Sequence, residues 1–277
     1  RSCPAPGTTL TDLPTPPAQL MPAPETRGIA RVVVVVGGGP AGLMAAETAR
    51  AGGAEVHVFE AKGSVGRKFL VAGKGGLNLT HSDPFDTFVS RYAPDPAWCG
   101  SWLREFGADA LRTWASSLGV ETFVGSSGRV FPLDLRAAPL LRGWVRRLRQ
   151  QGVHFHVHHR WTGWNTDGSL SFESIEGPRR VTADACVLAC GGASWPELGA
   201  DGEWVPILRA AGVAVADLVP ANCGFEAQWS PHLIARHAGS PVKPVRATFI
   251  DAHGQHHARE GEFILTAYGV EGSLIYA

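Results

Sequence analysis

The stretch Arg31-Val-Val-Val-Val-Val-Gly-Gly-Gly-Pro-Ala-Gly-Leu-Met-Ala-Ala-Glu47 decides the fold. Residues 31 to 36 are β-branched and apolar on both faces, as a central parallel strand requires. Gly37 to Gly42 then reads as G-x-G-x-x-G. Gly37 permits the tight turn, Gly39 lets backbone approach a pyrophosphate, and Gly42 lets the next helix sit against the strand; Gly38 and Ala41 fill the intervening places. Pro40 suits a helix start, residues 43 to 50 are mostly good helix formers, and Gly52-Gly53 ends the helix. The unpaired amides and dipole at that helix's N-terminus make a phosphate site.

A second strand follows, Glu55-Val-His-Val-Phe-Glu60, ending on a carboxylate 23 residues beyond Gly37. A carboxylate there accepts hydrogen bonds from a ribose diol and repels a 2′-phosphate, so FAD and NAD both qualify as the bound dinucleotide and NADP does not. Strand, turn, helix, strand and terminal acid in that order predict an α/β fold with a Rossmann-like dinucleotide-binding domain.

About 150 residues further on, Ala183-Asp-Ala-Cys-Val-Leu-Ala-Cys-Gly-Gly192 reads as a buried strand ending on small residues. There Ala189, Gly191 and Gly192 leave backbone free to approach a ligand. Two such motifs in one chain are the arrangement of the two-dinucleotide-binding-domain flavoproteins, in which the second closes over the same FAD. Only one complete fingerprint is present, so a nicotinamide donor, NADH or NADPH, binds transiently if it is used.

Composition bounds the rest. With 277 residues, 44% of them apolar, 25 basic and 25 acidic, the chain has room for a core and no net field to hold nucleic acid or an anionic membrane. The longest aliphatic run, Val32 to Val36, is far short of the roughly 20 residues that span a bilayer. Five scattered cysteines without a Cys-x-x-Cys favour a reducing, cytoplasmic setting and exclude dithiol redox chemistry. Residues 1 to 28 hold seven of the twenty prolines and read as a disordered leader. The apolar ending Leu274 to Ala277, without punctuation, reads as the end of a fragment.

Residues 31 to 277 resemble the BaiN/RdsA family of NAD(P)/FAD-dependent oxidoreductases. The resembling segments are the glycine turn above, Gly66-Arg-Lys-Phe-Leu-Val-Ala-Gly-Lys-Gly-Gly-Leu-Asn-Leu-Thr80, Gly128-Arg-Val-Phe-Pro132, Ala189-Cys-Gly-Gly-Ala-Ser-Trp-Pro196 and Thr266-Ala-Tyr-Gly-Val-Glu-Gly272. The family usually carries Arg-Cys where Gly76-Leu77 stands and commonly Thr where Cys190 stands, departures that suggest a subgroup and leave its substrate open.

The resemblance implies a Rossmann-like FAD domain over 29–218 and the start of an inserted β-rich domain over 219–277. It implies that Gly37, Gly39, Pro40, Ala41 and Gly42 line the FAD pyrophosphate, with Glu60 and the adjoining Ala61 at the adenosine ribose. Arg67 and Lys68 would put positive charge near the phosphates or ribityl chain. Gly73 to Thr80 would pass close to the flavin, with Asn78 and Thr80 as polar contacts, and Trp161 would lie near the adenine. Family members continue past the present endpoint into a further FAD-contacting segment. The implied activity is NAD(P)H-driven reduction of a small organic substrate through the flavin; an NAD-binding dehydrogenase and a non-catalytic or incomplete dinucleotide-binding module are the alternatives.

Three candidates are weighed against blander readings. His154, His156 and His158 alternate on one predicted strand face, with His159 beside them, but no carboxylate is near them in sequence, and no metal is expected. Tyr268 and Glu271 fit a structural turn better than an acid and donor, so no catalytic residue is named. From Pro220 onward, prolines at 231, 241 and 244 punctuate apolar stretches, which predicts short strands and loops.

Overall fold

Four parallel strands form the centre of the protein, and the two middle ones, Val32–Val36 and Glu55–Glu60, bury apolar side chains on both faces. The computed structural model describes residues 31–72, 76–92, 95–220, 222–251 and 253–276; the proline-rich leader and Gly73 to Gly75 lie outside them. Strand β1 (Val32–Val36) runs into helix α1 (Pro40–Ala51), and β2 (Glu55–Glu60) pairs with β1 in parallel, Val32 opposite Glu55 and Val36 opposite Phe59. Helix α1 stops where Gly52 and Gly53, the latter at φ 86°, turn the chain back, with Arg50 in the last turn facing the negative end of the dipole.

The next segment builds a side lobe. Short helices α2 (Arg67–Val71), α3 (Phe85–Ser90), α4 (Pro96–Glu105) and α5 (Ala108–Ser117) flank the strands β3 (Thr80–His81), β4 (Thr122–Val124) and β5 (Arg129–Pro132), which pair antiparallel in the order β3-β5-β4. Helix α6 (Ala137–Gln150) then buries Leu140, Leu141, Trp144 and Leu148, one stripe at helical spacing, while Arg142, Arg146 and Arg149 face outward.

Strand β6 (His154–Val157) adds to β2 in parallel, and the chain crosses back through an antiparallel meander of β7 (His159–Trp164), β8 (Leu170–Ser174) and β9 (Gly177–Val181). Strand β10 (Ala185–Leu188) then joins β1 on its other side, giving the order β10-β1-β2-β6. The first three strands by sequence run outward in one direction and the fourth returns to the opposite side of β1, so the switch point lies between β1 and β10. In open α/β sheets that crevice is where ligands bind.

Sidedness follows from strand alternation. Val35, Val56 and Val58 point to α1 and α6, packing with Leu43, Ala46, Leu141, Trp144 and Leu148. Val34, Val36 and Phe59 point to the meander, packing with Trp161, Leu170 and Phe172. Each fully buried valine or leucine contributes about 1.5–3 kcal/mol. The helix side also carries a polar clamp: Glu47 Oε2 accepts Trp144 Nε1 at 2.6 Å and Trp114 Nε1 at 3.2 Å, and Arg147 Nη2 lies 2.7 Å from Oε1.

Two expectations need correction. Strand β10 is not buried: it is the edge of the sheet, with Cys186 and Val187 exposed, and no described strand pairs with its outer side. Its sequence resembles a core strand because one neighbour, β1, is shared, but an edge has only one. The C-terminal region also holds longer strands than its prolines suggested. After α7 (Trp204–Ala210), the strands β11 (Phe225–Glu226), β12 (Pro241–Ile250), β13 (His256–Leu265) and β14 (Gly269–Glu271) make a second sheet in the order β11-β14-β13-β12, with α8 (Pro231–His237) alongside. β12 and β13 have ten residues each, because Pro241 opens its strand and Pro244 falls in the register shift between Val242 and Val245, places where a missing N–H costs no ladder bond.

Candidate functional site

The carboxyl ends of β1, β2 and β10 open into a cavity of about 940 Å³, at the upper end of the range for small-molecule and cofactor sites. Its first wall is the glycine turn. Gly37 has φ 106°, and a Cβ there would stand 2.3 Å from the Ala189 carbonyl oxygen; a Cβ on Gly42 would stand 1.8 Å from the Gly37 carbonyl oxygen. Both positions are glycine because backbone meets backbone. Gly39 differs: a Cβ on it would find nothing within 4 Å, so the turn offers open backbone in front of the N-terminus of α1. Gly37, Gly39, Pro40 and Ala41 line the cavity. Gly38 and Gly42 do not; Gly38 faces Val65, and its N–H donates to Glu60 Oε2 at 2.8 Å.

Glu60 lies at the end of β2 with Ala61, and both line the cavity. Its other oxygen accepts the Lys62 N–H at 2.8 Å. Two backbone donors thus fix the carboxylate in place, and a carboxylate still has lone pairs left for a ligand hydroxyl. Arg67 and Lys68, from the start of α2, bring positive charge to the same cavity, and Lys68 Nζ donates to Ser194 Oγ at 2.8 Å.

Beyond β10, Ala189, Cys190 and Gly191 line the cavity; Gly192 is half-buried beside it and is not part of the lining. Burial, then the neighbouring Cys186 and Asp201, push the Cys190 thiol up to about 11. It is a neutral thiol at physiological pH, with negligible nucleophile character.

The far wall was only partly legible in the sequence. Trp161 of the meander was named; Arg160, Asp201, Trp204 and Ile207 were not, although Trp204, Ile207 and Leu208 have the spacing of a helix face. Arg160 Nη1 pairs with Asp201 Oδ2 at 3.0 Å, tying β7 to the segment before α7. Three residues of the lining, Arg67, Trp161 and Trp204, each carry a buried side-chain nitrogen with no hydrogen-bond partner among the described residues. Buried donors are nearly always satisfied, so their clustering here marks where acceptors of a ligand belong. An elongated group with phosphates at one end, hydroxyls at Glu60 and further acceptors toward the tryptophans fits this donor set.

Other predicted residues lie elsewhere. Asn78 is exposed, and Thr80 is taken up by β3, opposite Val130; neither belongs to the cavity lining. Tyr268 is exposed in the bend between β13 and β14 and donates its hydroxyl to Glu271 Oε1 at 2.9 Å, a bond that raises the phenol pKa. The histidine strand also departs from simple alternation. His158 has φ 58° and leaves the strand, while His57, from β2, joins His154 and His156. Glu55 accompanies them from the same neighbouring strand, a carboxylate near in space that is distant in sequence. Burial, then the Arg179 charge, lower His156 to about 4, so this ring is neutral.

Comparison with known proteins agrees with this geometry. Residues 31–275 match the HI0933-like protein Rossmann domain family. A 3-dehydro-bile acid delta(4,6)-reductase of Clostridium scindens is 29% identical over 246 residues, covering 87% of this chain and 58% of the reductase. The chain therefore spans little more than half the length of that relative. Among solved structures, the open conformation of a flavocytochrome c3 fumarate reductase is similar in fold, with a TM-score of 0.53 and 21% identity over 65% of this chain and 40% of that one. No helix among the described residues is long and apolar enough to cross a membrane. A Rossmann-like parallel sheet with its glycine turn at the switch point, matched over almost all of the chain after residue 30, makes this protein a member of the HI0933-like Rossmann-domain family, the family its glycine-rich segments resemble.

Proposed function

We propose that the chain is the FAD-binding part of an oxidoreductase that reduces a small organic substrate, with NADH or NADPH as a donor that binds transiently. The observation that carries the reading is the cavity at the switch point, which combines the open backbone at Gly39, the fixed Glu60 carboxylate and three unpartnered buried donors. Gly37, Gly39, Pro40 and Ala41, at the positive end of α1, would hold the pyrophosphate, with Arg67 and Lys68 adding charge. Glu60 would take the adenosine ribose, and Trp161 would lie toward the adenine. Ala189 and Gly191 would let backbone close over the cofactor, with Gly192 behind them. Gly38 and Gly42 would act indirectly, by shaping the turn.

Bound FAD would supply hydride and electron transfer. The protein's part is orientation, charge and exclusion of water, and Cys190, a protonated thiol, takes no covalent role. The name of the Clostridium scindens relative favours reduction of a carbon-carbon double bond conjugated to a ketone as the reaction class. The second sheet, in the region 219–277, would form the start of a substrate-side cap.

The test is the visible absorption spectrum of the full chain after addition of FAD and gel filtration. Retention of both flavin bands in a near-equimolar ratio is expected. A colourless protein that instead retains NAD would overturn the FAD assignment. One that retains neither dinucleotide would overturn the cofactor reading for this chain.

A further inference from the structure

Away from the cavity's donor set, one face of β2 and β6 gathers Glu55 and His57 from the first strand and His154 and His156 from the second. The parallel register sets His57 opposite His154 and Phe59 opposite His156. Side chains two apart on a strand share a face, so the four polar residues converge. His57 Nε2 lies 3.0 Å from Glu55 Oε1, and His57 Nδ1 lies 3.0 Å from His156 Nε2. The His57 and His154 rings stack at 4.8 Å between centroids. One ligand atom from each of Glu55, His57 and His154 lies within 4.8 Å of the others.

The hydrogen-bond geometry sets an electrostatic condition. Only one proton fits between His57 Nδ1 and His156 Nε2. When His57 supplies it, Nε2 of a neutral His57 presents its lone pair to the Glu55 carboxylate at 3.0 Å. In that tautomer the two lone pairs repel unless a cation lies between them; in the other, His156 Nε2–H donates to His57 Nδ1 and His57 Nε2–H donates to Glu55. A ring nitrogen freed for a cation while the other N–H is held by a fixed acceptor is the usual arrangement of a metal-bound histidine.

We propose that Glu55, His57 and His154 form a site for a divalent cation of borderline softness, such as Zn²⁺, with His156 as the positioning residue for the His57 ring. Two imidazoles and one carboxylate suit such an ion better than Mg²⁺ or Ca²⁺, which favour all-oxygen sites. Three protein ligands leave a fourth, water-facing position. Tetrahedral coordination at about 2.1 Å puts ligand atoms about 3.4 Å apart, so pairs near the 4.8 Å limit must close by roughly 1.4 Å while His57 Nε2 and Glu55 Oε1, at 3.0 Å, open slightly. Glu55 and His154 are exposed and free to make that movement. Arg179 is the nearby opposing charge, and its guanidinium is turned onto His159 and the Phe59 ring.

The full chain, stripped with chelator and equilibrated with Zn²⁺, is assayed by equilibrium dialysis with elemental analysis. One Zn²⁺ per chain is expected, with at least tenfold weaker binding in His154→Ala and Glu55→Gln and no change in His232→Ala. His156→Ala should weaken binding about 10- to 100-fold. His156→Gln, which keeps an acceptor, should restore much of it, and the Co²⁺-substituted His156→Ala protein should show an altered visible spectrum that His156→Gln largely restores. Circular dichroism checks that each variant is folded. Absence of Zn²⁺ binding by the wild-type chain overturns the proposal. So does equal binding by His154→Ala and Glu55→Gln, which would put the ion elsewhere.

Discussion

Glu60 Oε2 accepts the backbone N–H of Gly38 at 2.8 Å, joining the end of β2 to the middle of the glycine turn. The same carboxylate accepts the Lys62 N–H, so one side chain fixes both the turn and the loop that leaves the second strand. It is therefore a structural strut as well as the residue presented to a ribose.

Removing that carboxylate should have two separable effects. Glu60→Ala leaves two partly buried N–H groups without acceptors and should cost about 1–3 kcal/mol in urea denaturation. Glu60→Gln keeps one acceptor oxygen and should cost less, yet it should still weaken FAD binding in a fluorescence titration. A Glu60→Gln protein that binds FAD like wild type would remove Glu60 from the cofactor site.

The two glycines that flank Pro40-Ala41 should behave oppositely. Gly39 has a φ of −76°, which any residue adopts, and open space ahead of it, so Gly39→Val should fold with a nearly unchanged melting temperature. Its side chain would occupy the phosphate seat, and FAD retention should be lost. Gly42→Ala puts a methyl 1.8 Å from a carbonyl oxygen and should yield little folded protein. Expression yield, thermal melting and flavin content distinguish the two.

The Glu47 clamp should be a major element of stability on the helix side. Trp144→Phe keeps most of the buried ring area and deletes the 2.6 Å bond to a charged acceptor. A loss of about 1.5–3 kcal/mol is expected in guanidinium unfolding. Glu47→Gln should lose less if its carbonyl still accepts from one indole, and a Glu47→Gln/Trp144→Phe double mutant should be less than additive.

Cys190 should resist alkylation. Its folded pKa of about 11 lies above the ordinary thiol value of 9.0, so the thiolate fraction at pH 8 is about 100-fold below that of an unperturbed thiol. Iodoacetamide at pH 8, followed by peptide mapping, should modify exposed Cys223 well before Cys190. The raised pKa also sets a sign for stability. The neutral thiol's contribution is complete below pH 9 and is lost as pH rises toward 11, where the unfolded chain holds a thiolate that the folded chain does not favour. Cys190→Ala should flatten that part of the stability profile.

The strand, turn, helix and second strand from Val32 to Glu60 were readable in sequence because their determinants are local. β-branched residues stiffen a strand, and positive φ at Gly37 and backbone contact at Gly42 admit only glycine. The return of the chain through β10 was readable for the same reason, since short apolar runs before glycine mark strand ends. The edge position of β10 was not, because exposure depends on how many neighbours a strand acquires.

What only the tertiary structure decided are the relations across the chain. Thr80 pairs with Val130 in a side sheet, away from the cavity. Trp204 and Asp201 complete a wall begun by Trp161, because the meander and α7 fold over the same strand ends. His57 meets His156 and Glu55 meets His154 only because β2 and β6 lie in parallel register. Local propensity is written in neighbouring residues, whereas these meetings are set by the packing of elements up to about a hundred residues apart, to which no short-range pattern corresponds.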